Sequence, residues 1–118
     1  MSDFFKSEMV RGDLQEMAEL QQYCMRSMYA FPVLSAEKQL EYFDTLITLI
    51  EKQKVFYARL ALSEDPEAKD MVQTMKESAI LLGADQSDDM YELFNSLIEK
   101  VNNLKAQTKK GQQTGTRG

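Results

Sequence analysis

The side chains that most often perform chemistry are scarce in this sequence, and their spacing matches no catalytic motif. Histidine is absent from the 118 residues, so no Ser–His or Cys–His pair and no imidazole base can form. Helical di-iron proteins that use Glu-x-x-His pairs are excluded for the same reason. The sequence therefore predicts no catalytic residue, and we expect that the protein is not an enzyme.

The only cysteine, Cys24, has no second cysteine with which to form a disulfide or a metal site. It lies four residues after Leu20 and four before Met28, the spacing of one helical face. This position favours a buried apolar role for Cys24 over a reactive thiol, because reactivity requires exposure and a positive environment. The sequence contains no cofactor-attachment motif, and we expect no cofactor.

Asp85, Ser87 and Asp89 have the spacing of the first, third and fifth ligands of a calcium loop. That loop also requires glycine at its sixth position and a carboxylate at its twelfth, where this sequence has Met90 and Ser96. The match fails, so we expect no metal site. Capping of the following helix explains the acidic residues better.

Charge and hydropathy exclude two further classes of partner. The net charge is −5, and the last ten residues hold three positive charges and no acid, so the first 108 residues are more acidic than the whole chain. An acidic body repels phosphate backbones, and we expect no nucleic-acid partner.

The apolar runs are far shorter than the roughly 20 residues that span a bilayer, and no secretion signal opens the chain. We therefore expect a cytoplasmic protein without a membrane partner.

Apolar residues recur at spacings of three and four along most of the chain, the period of an α-helix. Phe31-Pro32 ends the first helix, Ser35 caps the second, and Pro66 begins the third. A fourth helix follows a glycine-containing turn. Short connections favour antiparallel packing of helices that are neighbours in sequence. We predict an all-α fold, a four-helix antiparallel bundle of two long and two shorter helices, in which the first two and the last two helices each form a hairpin.

The sequence predicts one domain followed by a tail. Residues 1–108 form a single helical domain in this interpretation. From Lys109 onward the chain reads KKGQQTGTRG, in which no apolar side chain offsets the entropy lost on ordering. We therefore predict that residues 109–118 form a flexible, disordered basic tail.

The second helix, predicted over residues 36–62, is apolar on more than one face. Such a helix is either the buried centre of a bundle or half of an interface. Arginine beside aromatic residues anchors interfaces, but its stem also packs beside cores, and both alternatives stay open. Exposed methionines near aromatic residues are typical of adaptable binding surfaces. The candidate protein interface comprises Val55, Phe56, Arg59, Met9, Met25 and Tyr29.

Two stretches carry a family resemblance: DFFKSEMV at residues 3–10, and LIEKQKVFYARLALSEDPEAKDM at residues 49–71, followed by LLG. They resemble a small all-helical protein family of unknown function found in cyanobacteria and their T4-like phages. The resemblance covers roughly residues 3–105 and brings no catalytic motif. It implies a protein that acts in the cyanobacterial cytoplasm, encoded by the host or by a phage.

Two functions are consistent with these observations. The first is a non-enzymatic helical module that binds a protein partner, as a regulator or adaptor, and that also self-associates into a homo-oligomer. The alternative is a carrier that holds a small apolar ligand or pigment between the helices of the bundle core.

Overall fold

The structure, a computed structural model, describes residues 3–81, 83 and 89–115. The described residues form α-helices and one 3₁₀ turn, without a strand, so the predicted all-α fold is confirmed. The helices are α1 (Asp3–Lys6), α2 (Glu8–Ala30), α3 (Ala36–Leu62), α4 (Pro66–Leu81) and α5 (Met90–Gly115), and the 3₁₀ turn Phe31–Val33 lies between α2 and α3.

Short capping sequences set the helix boundaries. The Ser35 hydroxyl accepts the Lys38 backbone N–H at 3.2 Å and begins α3. In the same way, the Asp65 carboxylate accepts the Glu67 N–H at 2.9 Å at the start of α4. After α4, Gly83 has a φ of 111°, a left-handed conformation that glycine adopts without steric cost. These boundaries agree with the sequence prediction to within about two residues.

The central helix is α3, which contacts α2, α4 and α5. Cross-helix contacts show that α2 runs antiparallel to α3. The Tyr23 hydroxyl donates to the Glu41 carboxylate at 2.8 Å, and the Lys52 ammonium lies 2.9 Å from the Glu16 carboxylate. Residues nearer the start of α2 therefore lie beside residues nearer the end of α3, as in an antiparallel helical hairpin.

Helix α5 also packs mainly against α3, not against α4 as predicted. The Lys54 ammonium donates to the Asn95 side-chain oxygen at 2.7 Å, and the Lys105 ammonium donates to the Asp44 carboxylate at 2.5 Å. These pairs show that α5 runs antiparallel to α3. The prediction that the last two helices form a hairpin was wrong, because the second apolar face of α3 offers α5 a longer packing surface than the 16-residue α4 does.

Most of the buried apolar residues form two clusters on α3, and Cys24 and Leu49 are buried outside them. One joins α3 to α5 and contains Phe43, Ile50, Tyr57, Phe94 and Val101. The other joins the C-terminal end of α3 to α2 and α4 and contains Val10, Phe56, Leu60 and Ala68. The molecule measures 58 × 32 × 18 Å, so at the usual helix spacing of about 10 Å it is roughly two layers thick. It is a flat slab around α3, not two hairpins packed together.

A one-turn helix, α1, was not predicted, because four residues are too few to show a helical period. The Phe4 backbone N–H donates to the Asp65 carboxylate at 3.1 Å, and the rings of Phe4 and Phe56 lie 6.1 Å apart in an edge-to-face arrangement. Asp65 thus caps α4 and also holds α1 over the second core cluster.

The structure extends α5 through Gly115, so residues 109–115 of the predicted tail are helical. Two hydrogen bonds from one side chain fix this extension: the Gln112 amide donates to the Ala36 carbonyl at 3.1 Å and to the Gln39 side-chain oxygen at 3.0 Å. With 26 residues, α5 is almost as long as the 27-residue α3, so the expected pair of shorter helices is not found either. Residues 116–118 lie outside the described part of the chain.

We predict that Phe56→Ala lowers the free energy of unfolding by about 3–5 kcal/mol, the usual cost of removing a buried aromatic ring. Phe56 is only 4% exposed. The neighbouring substitution Val55→Ala is the control, because Val55 is 52% exposed and its loss should cost no more than about 0.5 kcal/mol. Urea unfolding followed by circular dichroism measures both, and equal effects would contradict the assignment of Phe56 to the core.

Candidate protein interface

The structure separates the six candidate interface residues into a buried residue and two exposed groups. Phe56 is buried against α1, α2 and α4 in the second core cluster, so it is not exposed on the surface of the single chain. The physical reason is that Phe56 and Val55 are about 100° apart on α3, and only Val55 lies on the side that faces solvent.

One exposed group, which we call the Arg59 surface, consists of Met9, Asp13, Val55, Arg59 and Leu62. Val55, Arg59 and Leu62 are spaced by four and three residues and share one face of α3. Met9 and Asp13 share one face of α2 for the same reason. The antiparallel pairing of α2 and α3 brings the two faces together, and Met9, Val55 and Leu62 are 62%, 52% and 85% exposed.

An ion pair between Arg59 and Asp13 joins the two helices at the centre of the Arg59 surface. Both side chains are about one-third exposed. Arg59 therefore has features of both alternatives, because its guanidinium is anchored within the molecule and still reaches solvent. A small cleft of about 170 Å³ lies beside this pair and is lined by Asp13, Met17, Lys52, Val55 and Arg59.

The second exposed group, the Tyr29 surface, consists of Met25, Met28 and Tyr29 on the last turns of α2. These residues are 48%, 52% and 79% exposed. Met25 follows Met9 by 16 residues, which places it about 24 Å farther along the helix and about 160° around it. The structure therefore does not bring Met9 together with Met25 and Tyr29, and a single partner face would not contact both groups at close range.

Two exposed residues were missed by sequence reasoning, Leu62 on the Arg59 surface and Met28 on the Tyr29 surface. Met28 falls on the main apolar stripe of α2, and the three-and-four spacing of that stripe predicted a buried side chain. Leu62 is the last residue of α3 and lies on a side of that helix that its neighbours leave exposed. Its position directly before Ser63-Glu64-Asp65-Pro66 was the signal that could have identified it.

Two larger clefts open at opposite ends of the molecule. The N-terminal cleft, of about 520 Å³, is lined by Phe5, Arg11, Leu14, Glu67 and Met71. The corner cleft, of about 350 Å³, is lined by Met28, Phe31, Pro32, Tyr42 and Phe43. The corner cleft is apolar throughout, whereas the N-terminal cleft has one basic and one acidic residue among its walls.

No described group of three or more acidic or cysteine residues has the arrangement of a metal site. Asp85 and Ser87, which were considered as calcium ligands, lie outside the described residues. Within the described part of the chain, no helix combines the length and the apolar character needed to cross a membrane.

Cys24 is 6% exposed and lies in the apolar interior of α2. Burial raises the pKa of its thiol, because the charged thiolate loses its hydration. A thiol that is both inaccessible and protonated is a poor nucleophile. The structure thus places Cys24 in the core, as its spacing predicted.

We predict that Cys24 reacts with an aromatic disulfide reagent at least about tenfold more slowly in the folded protein than in the unfolded chain at the same pH, since reaction requires opening of the helix packing. Absorbance of the released thiolate measures the rate, with the Cys24→Ser variant as the blank. Equal rates in buffer and in guanidinium would show that the thiol is accessible.

Comparison with curated proteins and with solved structures gives no significant match. A family model described as a domain of unknown function, DUF1825, matches residues 2–108. The match covers most of the chain, from the first turn of α1 well into α5, and the protein therefore belongs to this family of domains of unknown function.

Proposed function

We propose that this protein is a non-enzymatic helical module that binds a protein partner through the Arg59 surface. The observation that supports the proposal most strongly is the exposure of Met9, Val55 and Leu62 around the Arg59–Asp13 pair. A cluster of large apolar side chains with a polar centre is costly to leave in water and is typical of a protein-binding surface.

The Arg59 surface contains residue types that are common in protein interfaces. Arginine and methionine are enriched in interface cores, and an arginine whose stem is already ordered loses little entropy on binding. The ion pair with Asp13 restricts the Arg59 guanidinium before a partner arrives. Exposed ion pairs contribute little to folding stability, so a contribution to binding is the better explanation for this pair at the centre of an apolar group.

The biological setting belongs to the same proposal. We infer a regulator or adaptor in the cyanobacterial cytoplasm, encoded by the host or by a phage, from the resemblance of residues 3–10 and 49–71 to proteins of those organisms. The acidic chain, with a net charge of −5, favours a protein partner over nucleic acid.

A second candidate function is the binding of a small apolar ligand. It is favoured by the N-terminal cleft, whose volume of about 520 Å³ lies within the range of about 300–1,000 Å³ that is usual for small-molecule sites. The cleft opens to solvent between α1, α2 and α4, and not between the helices of a bundle core. Its walls Phe5, Leu14 and Met71 suit an apolar body, and Arg11 suits an anionic group at the rim.

We predict that Leu62→Glu abolishes capture of the partner, because it places a charge in the apolar part of the Arg59 surface without disturbing the core. The measurement is affinity capture by tagged protein from a cyanobacterial lysate, read by quantitative mass spectrometry. A protein enriched at least about tenfold by the wild type, and lost with Leu62→Glu, would support the proposal; such a loss corresponds to about 1.4 kcal/mol.

The matched control is Ala61→Glu, which adds the same charge to the adjacent exposed residue on a face about 100° away. Tyr29→Glu tests the alternative surface in the same experiment. If capture survives Leu62→Glu but is lost with Tyr29→Glu, the Tyr29 surface is the interface. If every variant captures the same proteins as the wild type, neither surface binds a partner. Circular dichroism confirms that each variant is folded.

For the ligand alternative, we predict that anilinonaphthalene sulfonate, an anionic apolar dye, binds in the N-terminal cleft and that Arg11→Glu weakens its binding about tenfold or more, since a hydrogen bond to a charged group is worth about 1.5–3 kcal/mol. Arg26→Glu changes the same charge at another exposed site on α2 and should leave the dye bound. Fluorescence titration measures both. Equal loss with the two variants would indicate a general charge effect and no site in the cleft.

A further inference from the structure

Charge is distributed unequally between the two ends of α3. Residues 100–112 of α5, the lysine segment, contain four lysines and no acid. Residues 64–81, the acidic segment, contain five acidic residues and two lysines. Lys105 pairs with Asp44 near the start of α3, whereas Ala68 in α4 packs against Leu60 near its end. The lysine segment therefore lies at the end of the molecule where α3 begins, which we call the basic end, whereas the acidic segment starts beside the other end of α3.

The corner cleft lies at the basic end. Gln112, at the end of the lysine segment, donates to the Gln39 side chain at 3.0 Å, and the Gln39 amide donates to the Phe31 carbonyl at 2.9 Å. Phe31 lines the cleft together with Tyr42, and their rings are 5.7 Å apart. The C-terminal end of the lysine segment therefore adjoins the apolar cleft.

Helix α4, which holds most of the acidic segment, ends in an apolar tip. The last two residues of α4, Ile80 and Leu81, are 37% and 87% exposed. Asp70 and Glu77 on the same helix are also exposed. An apolar tip beside carboxylates is complementary to an apolar cleft beside lysines, and each chain has both halves of this pair.

We propose that a second copy of the chain occupies the corner cleft, in an antiparallel dimer in which α4 of each copy lies against the lysine segment and corner cleft of the other. In a dimer with a two-fold axis, both complementary contacts form at once, and neither copy has a free complementary surface to add a third chain. The broad face of the molecule measures 58 × 32 Å, ample for the roughly 800 Å² per partner that a stable interface buries. This surface is separate from the Arg59 surface, and the inference does not depend on the proposed partner.

The first test is the mass of the full-length protein in solution, by light scattering after gel filtration. The wild type is expected at twice the chain mass of 13.6 kDa, with dissociation toward the monomer in high salt, which screens exposed charges. Leu81→Glu should give the monomer. Leu62→Glu is the matched control, since Leu62 is 85% exposed on the Arg59 surface, and it should leave the dimer intact. The proposal would be overturned by a wild type that stays at 13.6 kDa at every concentration, or by a mass that rises beyond that of a dimer as the concentration increases.

Charge exchange tests the pairing itself. One variant replaces the adjacent exposed lysines Lys109 and Lys110, which lie nearest Gln112, by Glu, and a second replaces Asp70 and Glu77 by Lys. Each variant alone should be monomeric because like charges then face each other, and an equal mixture should form a heterodimer. A mixture that remains monomeric while both variants are folded would show that these segments do not pair.

The two proposals fail in distinguishable ways. Loss of partner capture with Leu62→Glu, together with a monomeric wild type, would support the Arg59 surface and reject the dimer. A dimer that Leu81→Glu dissociates, together with capture that no variant alters, would reject the partner and support the dimer.

Discussion

The structure depends on the requirement that the apolar circumference of α3 be covered. This helix has buried residues facing α5, such as Phe43 and Ile50, and others facing α2 and α4, such as Phe56 and Leu60. No single neighbour can cover faces that point in different directions, so α2 and α5 pack on different sides and α4 packs at one end. The flat shape follows, because helices arranged around one central helix do not close on each other.

Polar interactions in this protein set register more than they set stability. The cross-helix ion pairs formed by Lys52, Arg59 and Lys105 have partly exposed members, and such pairs contribute little free energy. They do fix which turns of the antiparallel helices lie side by side, whereas apolar burial stabilises the fold. In the described residues no buried side-chain nitrogen or oxygen lacks a hydrogen-bond partner.

Sequence reasoning located the individual helices well and their arrangement poorly. Local signals determine where α3 begins and ends, since Ser35 caps it and the turn before Pro66 stops it. The partner of α5 is a long-range choice, and periodicity shows that a face is apolar without showing which helix covers it. The same limit explains the candidate interface: adjacent residues such as Val55 and Phe56 differ in exposure because of the position of α2, which the sequence of α3 does not contain.

The same constraint connects the core to the proposed binding surfaces. A helix that is apolar on several sides needs neighbours around its whole circumference, but the described helices leave part of α3 uncovered, where Val55 and Leu62 are 52% and 85% exposed. Apolar groups therefore remain exposed where coverage ends: on the Arg59 surface at one end and in the corner cleft at the other. Among the described residues no other helix covers these groups, which is the physical basis for the two proposals, a partner protein at one end and a second copy of the chain at the other.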